Sequence, residues 1–163
     1  MSDTDLTEIT FVTQSGINYL IYLTDGSSYF SDYLEFNQKI FMFGFKPDRM
    51  LNRHDPRVKD TILDFLTKYF EQKPETALIF VCDTSDKRQD ARFKMFNNWF
   101  TERIEKSTSN SVIHKTNISF CDENDTNCAH ASLLITSQNT KLKMITTAFL
   151  ELDTTFRTKY EEE

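Results

Sequence analysis

The pattern of apolar and polar residues predicts that the first third of the chain folds into β-strands. Residues 7–13 and 17–24 are rich in β-branched and aromatic side chains, and a short turn containing Gly16 separates them, which is typical of a hairpin. Residues 39–45 form a run of mostly consecutive apolar side chains, so we expect a strand that is buried on both faces. Residues 28–34 are a further candidate for a short strand.

Three later segments have the 3.6-residue periodicity of amphipathic helices. The first opens at Asp55 and Pro56, because an aspartate accepts hydrogen bonds from the first-turn N–H groups and a proline at the first helical position forfeits no bond. The second follows Asp83 and ends near Lys106. The third opens at 138–140, and its narrow apolar stripe predicts either packing on the sheet or a helix-to-helix dimer seam.

The order of these elements predicts the fold class. Further strands are expected at 76–81, 112–120 and 131–137, so the order is strands first, then α-β-α, then β-β-α. This order predicts a single α+β domain over residues 1–163, with a mostly antiparallel sheet of about six strands and three helices packed on one face. A right-handed crossover from the strand at 39–45 to the next strand adds one parallel pair.

Composition narrows the possible functions. The chain of 163 residues has a net charge of −6, so its surface as a whole does not attract nucleic acid, and we expect no nucleic-acid partner. The three glycines lie far apart, whereas phosphate-cradling loops and dinucleotide sites need clustered glycines, so we expect no cofactor. No run of about 18 apolar residues occurs, so we expect no membrane span.

Cysteine content and the N-terminal residues indicate the cytoplasm. Cys82, Cys121 and Cys128 cannot all pair within one chain, which suits a reducing compartment. The N-terminus is acidic and polar, and it lacks the basic start and apolar segment of a signal peptide. Cys121, Cys128 and His130 share one polar loop, but their spacing lacks the short paired intervals of a zinc site. We therefore expect incidental thiols and no bound metal.

The most informative segment is the predicted helix after Asp83. On a helical wheel its apolar residues form one face: Phe93, Phe96, Phe100 and Ile104. A second face is polar and predicted to be solvated: Asp90, Lys94, Asn97, Thr101 and Glu105. Next to the apolar face, within about 60°, lie basic residues and one tryptophan: Arg88, Arg92, Trp99, Arg103 and Lys106. We call Arg88, Arg92, Trp99 and Arg103 the arginine stripe.

The arginine stripe needs an anion nearby. Arg88 and Arg92 are four residues apart, and such a like-charged pair destabilises a helix by roughly 0.2–0.5 kcal/mol unless an anion lies between them. Asp83, Asp86 or carboxylates of another helix can supply it internally, with Trp99 closing the edge of the core. An acidic protein partner also fits, because Trp and Arg are the usual hot-spot residues. A phosphate-bearing ligand or nucleic-acid segment is the third alternative.

Two carboxylates beside the stripe offer an enzyme alternative. Asp83 and Asp86 follow the carboxyl end of a strand, and with Arg88 or Arg92 they allow a small hydrolytic, Mg²⁺ or phosphate site. The sequence shows no third acidic residue at a readable spacing, no nearby histidine and no Ser-His-Asp signature. We therefore expect a binding or regulatory module that contacts an acidic protein, rather than an enzyme. The expected binding residues are Asp83, Asp86, Arg88, Arg92, Trp99 and Arg103.

One segment of the chain also carries a family resemblance. The residues concerned are Cys82, Asp83, Asp86, Arg88, Gln89, Arg92, Phe96, Trp99 and Phe100. In these residues the chain resembles a family of small bacterial proteins known only as a domain of unknown function, and the likeness extends loosely over most of the chain. The resemblance implies a stand-alone cytoplasmic bacterial protein. It implies no activity, cofactor or catalytic residue.

Overall fold

The computed structural model describes residues 7–49, 55–82, 87–106, 112–121, 124 and 127–161, and it describes side chains in these ranges except at 104–106 and 153–161. A six-stranded sheet runs through this part of the chain in the order β1-β2-β3-β4-β6-β5. Its strands are β1 (Thr7–Val12), β2 (Asn18–Asp25), β3 (Ile40–Pro47), β4 (Ala77–Val81), β5 (Ile113–Cys121) and β6 (Cys128–Thr136). Strands β3 and β4 are parallel, and all other neighbours are antiparallel.

Three α-helices complete the described part of the fold: α1 (Pro56–Gln72), α2 (Gln89–Lys106) and α3 (Leu142–Glu161). Together with the sheet they confirm the predicted α+β class. Asp55 caps α1 as expected, because its Oδ1 accepts the N–H of Arg57 at 2.9 Å. Asn139 Oδ1 accepts the N–H of Lys141 at 2.8 Å just before α3. Within the described ranges, no helix is long and apolar enough to cross a membrane.

The helices lie on both faces of the sheet, so the prediction that they pack on one face was wrong. On one face, α1 and α2 cover a buried cluster that includes Phe43 and Leu78. On the other face, α3 covers a cluster that includes Ile79 and Leu133. Adjacent residues of a strand, such as Leu78 and Ile79, point to opposite faces. The consecutive apolar residues of β4 therefore need a cover on each side.

The segment between β2 and β3 folds differently from the prediction. It forms two short 3₁₀ helices, Ser27–Phe30 and Asn37–Lys39, so the short strand expected there is absent from this described segment. Asp25 Oδ1 accepts the N–H of Ser27 at 2.9 Å, and such local bonds compete with the ladder bonds of a strand. Phe30 is buried in the same cluster as the apolar residues of α3.

Helix α2 begins later than directly after Asp83. Lys87 has a φ of 60°, a left-handed conformation that an α-helix does not contain. The C=O of Arg88 accepts the N–H of Arg92 at 3.0 Å, so Arg88 precedes the helix and receives its first hydrogen bond. From Gln89 onward the helix is regular and packs against β6.

Candidate functional site

The C-terminal part of the arginine stripe lies on the margin of α2 that faces α1. Arg103 Nη2 donates to Asp64 Oδ1 of α1 at 2.8 Å. A second ion pair between the same helices joins Lys59 to Glu102. The Arg103–Asp64 pair is exposed, and exposed pairs stabilise a fold by about 0–1 kcal/mol. A carboxylate of another helix thus contacts Arg103. This agrees with the internal interpretation of the stripe, in which carboxylates of the same chain supply the anion.

Trp99 is half-buried at the edge of the hydrophobic core. Its ring is stacked on Phe45 of β3, with centroids 5.7 Å apart and an interplanar angle of 20°. It also meets Phe96 edge-on, with centroids 6.0 Å apart. These two contacts hold the indole in one orientation while part of it reaches the surface.

The remaining predicted site residues lie near the start of α2. Arg88 is exposed and Arg92 is half-buried, and both interact with other groups of the protein. Asp83 and Asp86 lie outside the described residues, so their expected roles stay predictions. The structure therefore brings Trp99 and Arg103 to one margin of α2. It does not describe the two predicted carboxylates.

The opposite margin of α2 carries a polar network, although the wheel assigns it to solvent. Asp90 Oδ1 lies 2.5 Å from Nε2 of His130 in β6. Asn97 Oδ1 accepts from Nδ2 of Asn117 in β5 at 3.1 Å. Asp90 is exposed, as the wheel predicts, although its carboxylate contacts β6. The prediction of a solvated face was wrong for Asn97, which is half-buried, because α2 lies over β6 and this side chain reaches β5 beside it.

Three side chains of this network form a chain of hydrogen bonds, which we call the Ser–His–Asp cluster (Ser119, His130 and Asp90). Ser119 Oγ and His130 Nδ1 are 2.7 Å apart. His130 is 8 % exposed, and its ring lies flat on Phe93 with centroids 4.3 Å apart and an interplanar angle of 11°. The Asp90 side chain is 76 % exposed. The cluster therefore runs from a half-buried hydroxyl through a buried imidazole to an exposed carboxylate.

The register of β5 and β6 explains why Ser119 and His130 meet. They are direct cross-strand partners, so their side chains project from the same face of the sheet. Cys121 follows Ser119 by two residues and Cys128 precedes His130 by two. These two cysteines are also direct cross-strand partners, and they form a disulfide with an S–S distance of 2.04 Å. The prediction of incidental thiols was therefore wrong for this pair, while Cys82 is free and buried. The disulfide also removes the cysteine argument for a reducing compartment, because disulfides persist in oxidising environments.

A second group in the network surrounds a lysine, and we call it the lysine cluster (Lys115, Asn97, Asn117 and Ser132). Lys115 Nζ donates to Asn117 Oδ1 at 2.5 Å and to Asn97 Oδ1. Ser132 Oγ donates to Asn117 Oδ1 at 2.8 Å. The ammonium group also lies 5.1 Å from the ring centroid of Phe93, close enough for a cation–π interaction. The lysine cluster and the Ser–His–Asp cluster thus both contact the ring of Phe93.

Burial shifts the pKa of two groups in this region. Loss of contact with water lowers the pKa of Lys115 to about 8, against a smaller opposing effect of Cys82. Burial raises the pKa of the Cys82 thiol to about 11, although Lys115 and Arg92 lower it. Cys82 is therefore a neutral thiol at physiological pH and lacks the thiolate that nucleophilic cysteines need.

A comparison with protein families shows which family the chain belongs to. The model of a family of unknown function, DUF6169, matches residues 54–151, which is more than half of the chain. The chain belongs to DUF6169. This confirms the resemblance to a family known only as a domain of unknown function. No curated protein and no solved structure matches the chain.

The DUF6169 segment contains both margins of α2. It extends from the start of α1 into α3 and so includes the arginine stripe, the Ser–His–Asp cluster and the lysine cluster, whereas β1, β2 and β3 precede it. Among the residues that the structure describes, no group of three or more His, Cys, Asp or Glu side chains is placed to hold a metal ion.

The Ser–His–Asp cluster is the part of the site that the sequence analysis missed. Ser119 and His130 are 11 residues apart, and Asp90 is 40 residues from His130, so no local spacing connects them. One signal was available. If Cys121 and Cys128 pair directly across a hairpin, the same register places Ser119 opposite His130.

Proposed function

We propose that this chain is a binding module whose arginine stripe docks against an acidic surface of a protein partner. The observation that carries the proposal is the position of Trp99, which is half-exposed and stacked on Phe45 next to the arginines. An aromatic side chain that is already fixed loses little conformational entropy on binding. Tryptophan and arginine are also the residue types that contribute most to protein interfaces.

The segment of chain that contains this indole has an excess of positive charge. Residues 87–103 contain five basic and two acidic side chains, a local excess of three positive charges in a chain of net charge −6. The two acidic side chains, Asp90 and Glu102, contact His130 and Lys59. A basic region on an acidic protein favours a partner with a complementary acidic patch, because the remaining surface repels an extended polyanion.

The ion pair of Arg103 with Asp64 is compatible with this role. An exposed pair contributes about 0–1 kcal/mol, so a carboxylate of the partner can replace Asp64 at a small cost in free energy. The guanidinium group also has donors that can engage two carboxylate oxygens at once. Arg103 can therefore serve the fold in the free protein and the interface in the complex.

The test compares charge reversal in the stripe with charge reversal elsewhere. Arg92→Glu is expected to abolish capture of the partner from a lysate of the host, with captured proteins identified by mass spectrometry. Lys143→Glu makes the same change at an exposed position of α3, on the other side of the sheet, and is expected to leave capture unchanged. Equal capture by Arg92→Glu and wild type would reject the stripe as a contact surface.

Trp99 supplies a second readout, because it is the only tryptophan of the chain. Its fluorescence emission is expected to shift when the captured partner is added to wild type, and to stay constant with Arg92→Glu. Thermal unfolding of both variants separates the alternatives, since a lower melting temperature with normal capture supports the internal interpretation of the stripe. Retention on heparin that falls steeply with salt would indicate a phosphate-bearing ligand instead.

A further inference from the structure

We propose that Ser119 is a nucleophile, activated by His130 and positioned by Asp90, that accepts acyl groups from carboxylic esters. The inference concerns the margin of α2 opposite the arginine stripe and does not rest on the binding function proposed above. Its basis is the continuous chain of contacts from Ser119 Oγ to His130 Nδ1 at 2.7 Å and from His130 Nε2 to Asp90 Oδ1 at 2.5 Å. The same three groups activate the nucleophile of serine hydrolases on unrelated folds.

The partners of the imidazole define the tautomer of its neutral form. A carboxylate oxygen only accepts hydrogen bonds, so the contact with Asp90 requires the proton of neutral His130 on Nε2. Nδ1 then has a free lone pair, which accepts the hydroxyl proton of Ser119. This is the arrangement that a general base needs, because the atom that receives the proton already lies within hydrogen-bond distance of the nucleophile.

The ring of His130 is held in place on several sides. Phe93 stacks on it, Asp90 and Ser119 occupy its two nitrogens, and only 8 % of the residue is exposed. Across the hairpin, the disulfide of Cys121 with Cys128 ties the two strands together two residues beyond the Ser119–His130 pair. A base and a nucleophile that are fixed before substrate binds need no reorganisation during the reaction.

The surroundings of Ser119 favour an electrophile that develops negative charge. Ser119 is half-buried on β5, an edge strand of the described sheet, so part of the residue is accessible from solvent. Asn117 projects from the same face of β5 about 7 Å along the strand, given a rise of about 3.3 Å per residue. It accepts a hydrogen bond from Lys115 Nζ. At this separation Lys115 contributes a long-range electrostatic attraction to the oxyanion that forms when Ser119 attacks a carbonyl carbon, and not a direct hydrogen bond.

The proposed reaction has two balanced halves. Ser119 Oγ forms a bond to the carbonyl carbon while its proton moves to His130 Nδ1. The bond from that carbon to the leaving alkoxide then breaks, the alkoxide takes the proton from His130, and the alcohol departs. Water next attacks the acyl group on Ser119, with His130 accepting and then returning one proton, so that a carboxylic acid leaves and the serine is regenerated. Neither half involves oxidation or reduction.

The direct test labels the folded full-length chain with a fluorophosphonate. In this probe reaction a bond forms between Ser119 Oγ and phosphorus, fluoride leaves, and the proton passes to His130. We expect peptide mass spectrometry to locate one adduct, at Ser119, in wild type and in Ser28→Ala, a control at an exposed serine. Ser119→Ala should lose the adduct, and His130→Gln should form it roughly 100- to 10,000-fold more slowly.

Hydrolysis of p-nitrophenyl acetate provides the second measurement. Ser119→Ala should remove the activity that wild type and Ser28→Ala share, and Asp90→Asn should lower kcat with little change in KM, as expected of a positioning residue. Circular dichroism checks that each variant folds. Absence of an adduct at Ser119 in wild type, or full hydrolysis by folded Ser119→Ala, would overturn the proposal. An unchanged kcat in Asp90→Asn would overturn the role of Asp90.

Discussion

The two margins of α2 hold their polar groups in opposite ways. On the side of α1, the ion pair of Arg103 with Asp64 is exposed. On the side of β5, His130 is buried between several fixed partners, and Lys115 lies among amide oxygens and aromatic rings. Exposed ion pairs exchange partners at little cost, whereas cutting a buried network leaves polar groups without water or a partner. One helix thus combines a margin suited to docking with a margin suited to holding reactive groups in place.

The largest effect is expected from the disulfide on the β5 side. The double variant Cys121→Ser and Cys128→Ser should lower the free energy of unfolding by about 2 kcal/mol, because the unfolded chain regains the freedom of the closed loop. Urea denaturation measures this change. Dithiothreitol should destabilise wild type by a similar amount and leave the double variant unaffected. Equal stability of variant and wild type would mean that the β5–β6 ladder alone holds this end of the hairpin.

A pH-dependent effect is expected from Lys115. Its pKa is lowered from 10.5 to about 8 in the folded protein, so between these values the unfolded chain binds more protons than the folded one. The contribution of Lys115 to the free energy of unfolding therefore rises as pH increases through this window. Cys82 acts in the opposite sense from pH 9.0 to about 11, because its pKa is raised and the unfolded chain loses the thiol proton first.

The measurement removes the cysteine to isolate the lysine. The free energy of unfolding of Cys82→Ala, minus that of Cys82→Ala with Lys115→Met, should increase steadily from pH 8 to pH 10. A difference that stays constant across this range would show that Lys115 is not desolvated in the folded protein. The experiment sharpens the contrast with the α1 side, where the Arg103–Asp64 pair is exposed to solvent.

The smallest effect is expected from that exposed pair. A double-mutant cycle with Arg103→Gln and Asp64→Asn should give a coupling energy below about 1 kcal/mol, and 0.5 M salt should reduce it further through screening. Thermal or urea unfolding of the four proteins supplies the cycle. A coupling energy near 3 kcal/mol would place this pair in the same class as the buried network and remove the difference between the margins.

Local sequence patterns predicted much of the fold, and the errors in the prediction concern long-range packing. The cap at Asp55 and the edge position of Trp99 follow from residues close in sequence, and the structure has both. The placement of α3 was wrong, although residues 39–45 already indicated a strand buried on both faces. Such a strand needs cover on each side of the sheet, so that observation was in conflict with helices on a single face.

The same distinction between local pattern and long-range packing applies to the candidate site. The arginine stripe is visible in the sequence because Arg92, Trp99 and Arg103 recur along one helix and Arg88 directly precedes it. The Ser–His–Asp cluster joins α2, β5 and β6, and its members become neighbours only when the hairpin register and the position of α2 are known. The helical wheel also missed the contacts of Asp90 and Asn97 with the sheet, because it gives the direction of a side chain but not the width of the sheet below it.

Hydroxyl-radical footprinting of the chain, alone and with its captured partner, tests the docking surface most directly. Oxidation of Trp99 is expected to fall in the complex, because the indole becomes covered, while oxidation of Phe93 on the other margin stays the same. Unchanged oxidation of Trp99 in a chain that holds its partner would contradict the assignment of the arginine stripe as the contact surface.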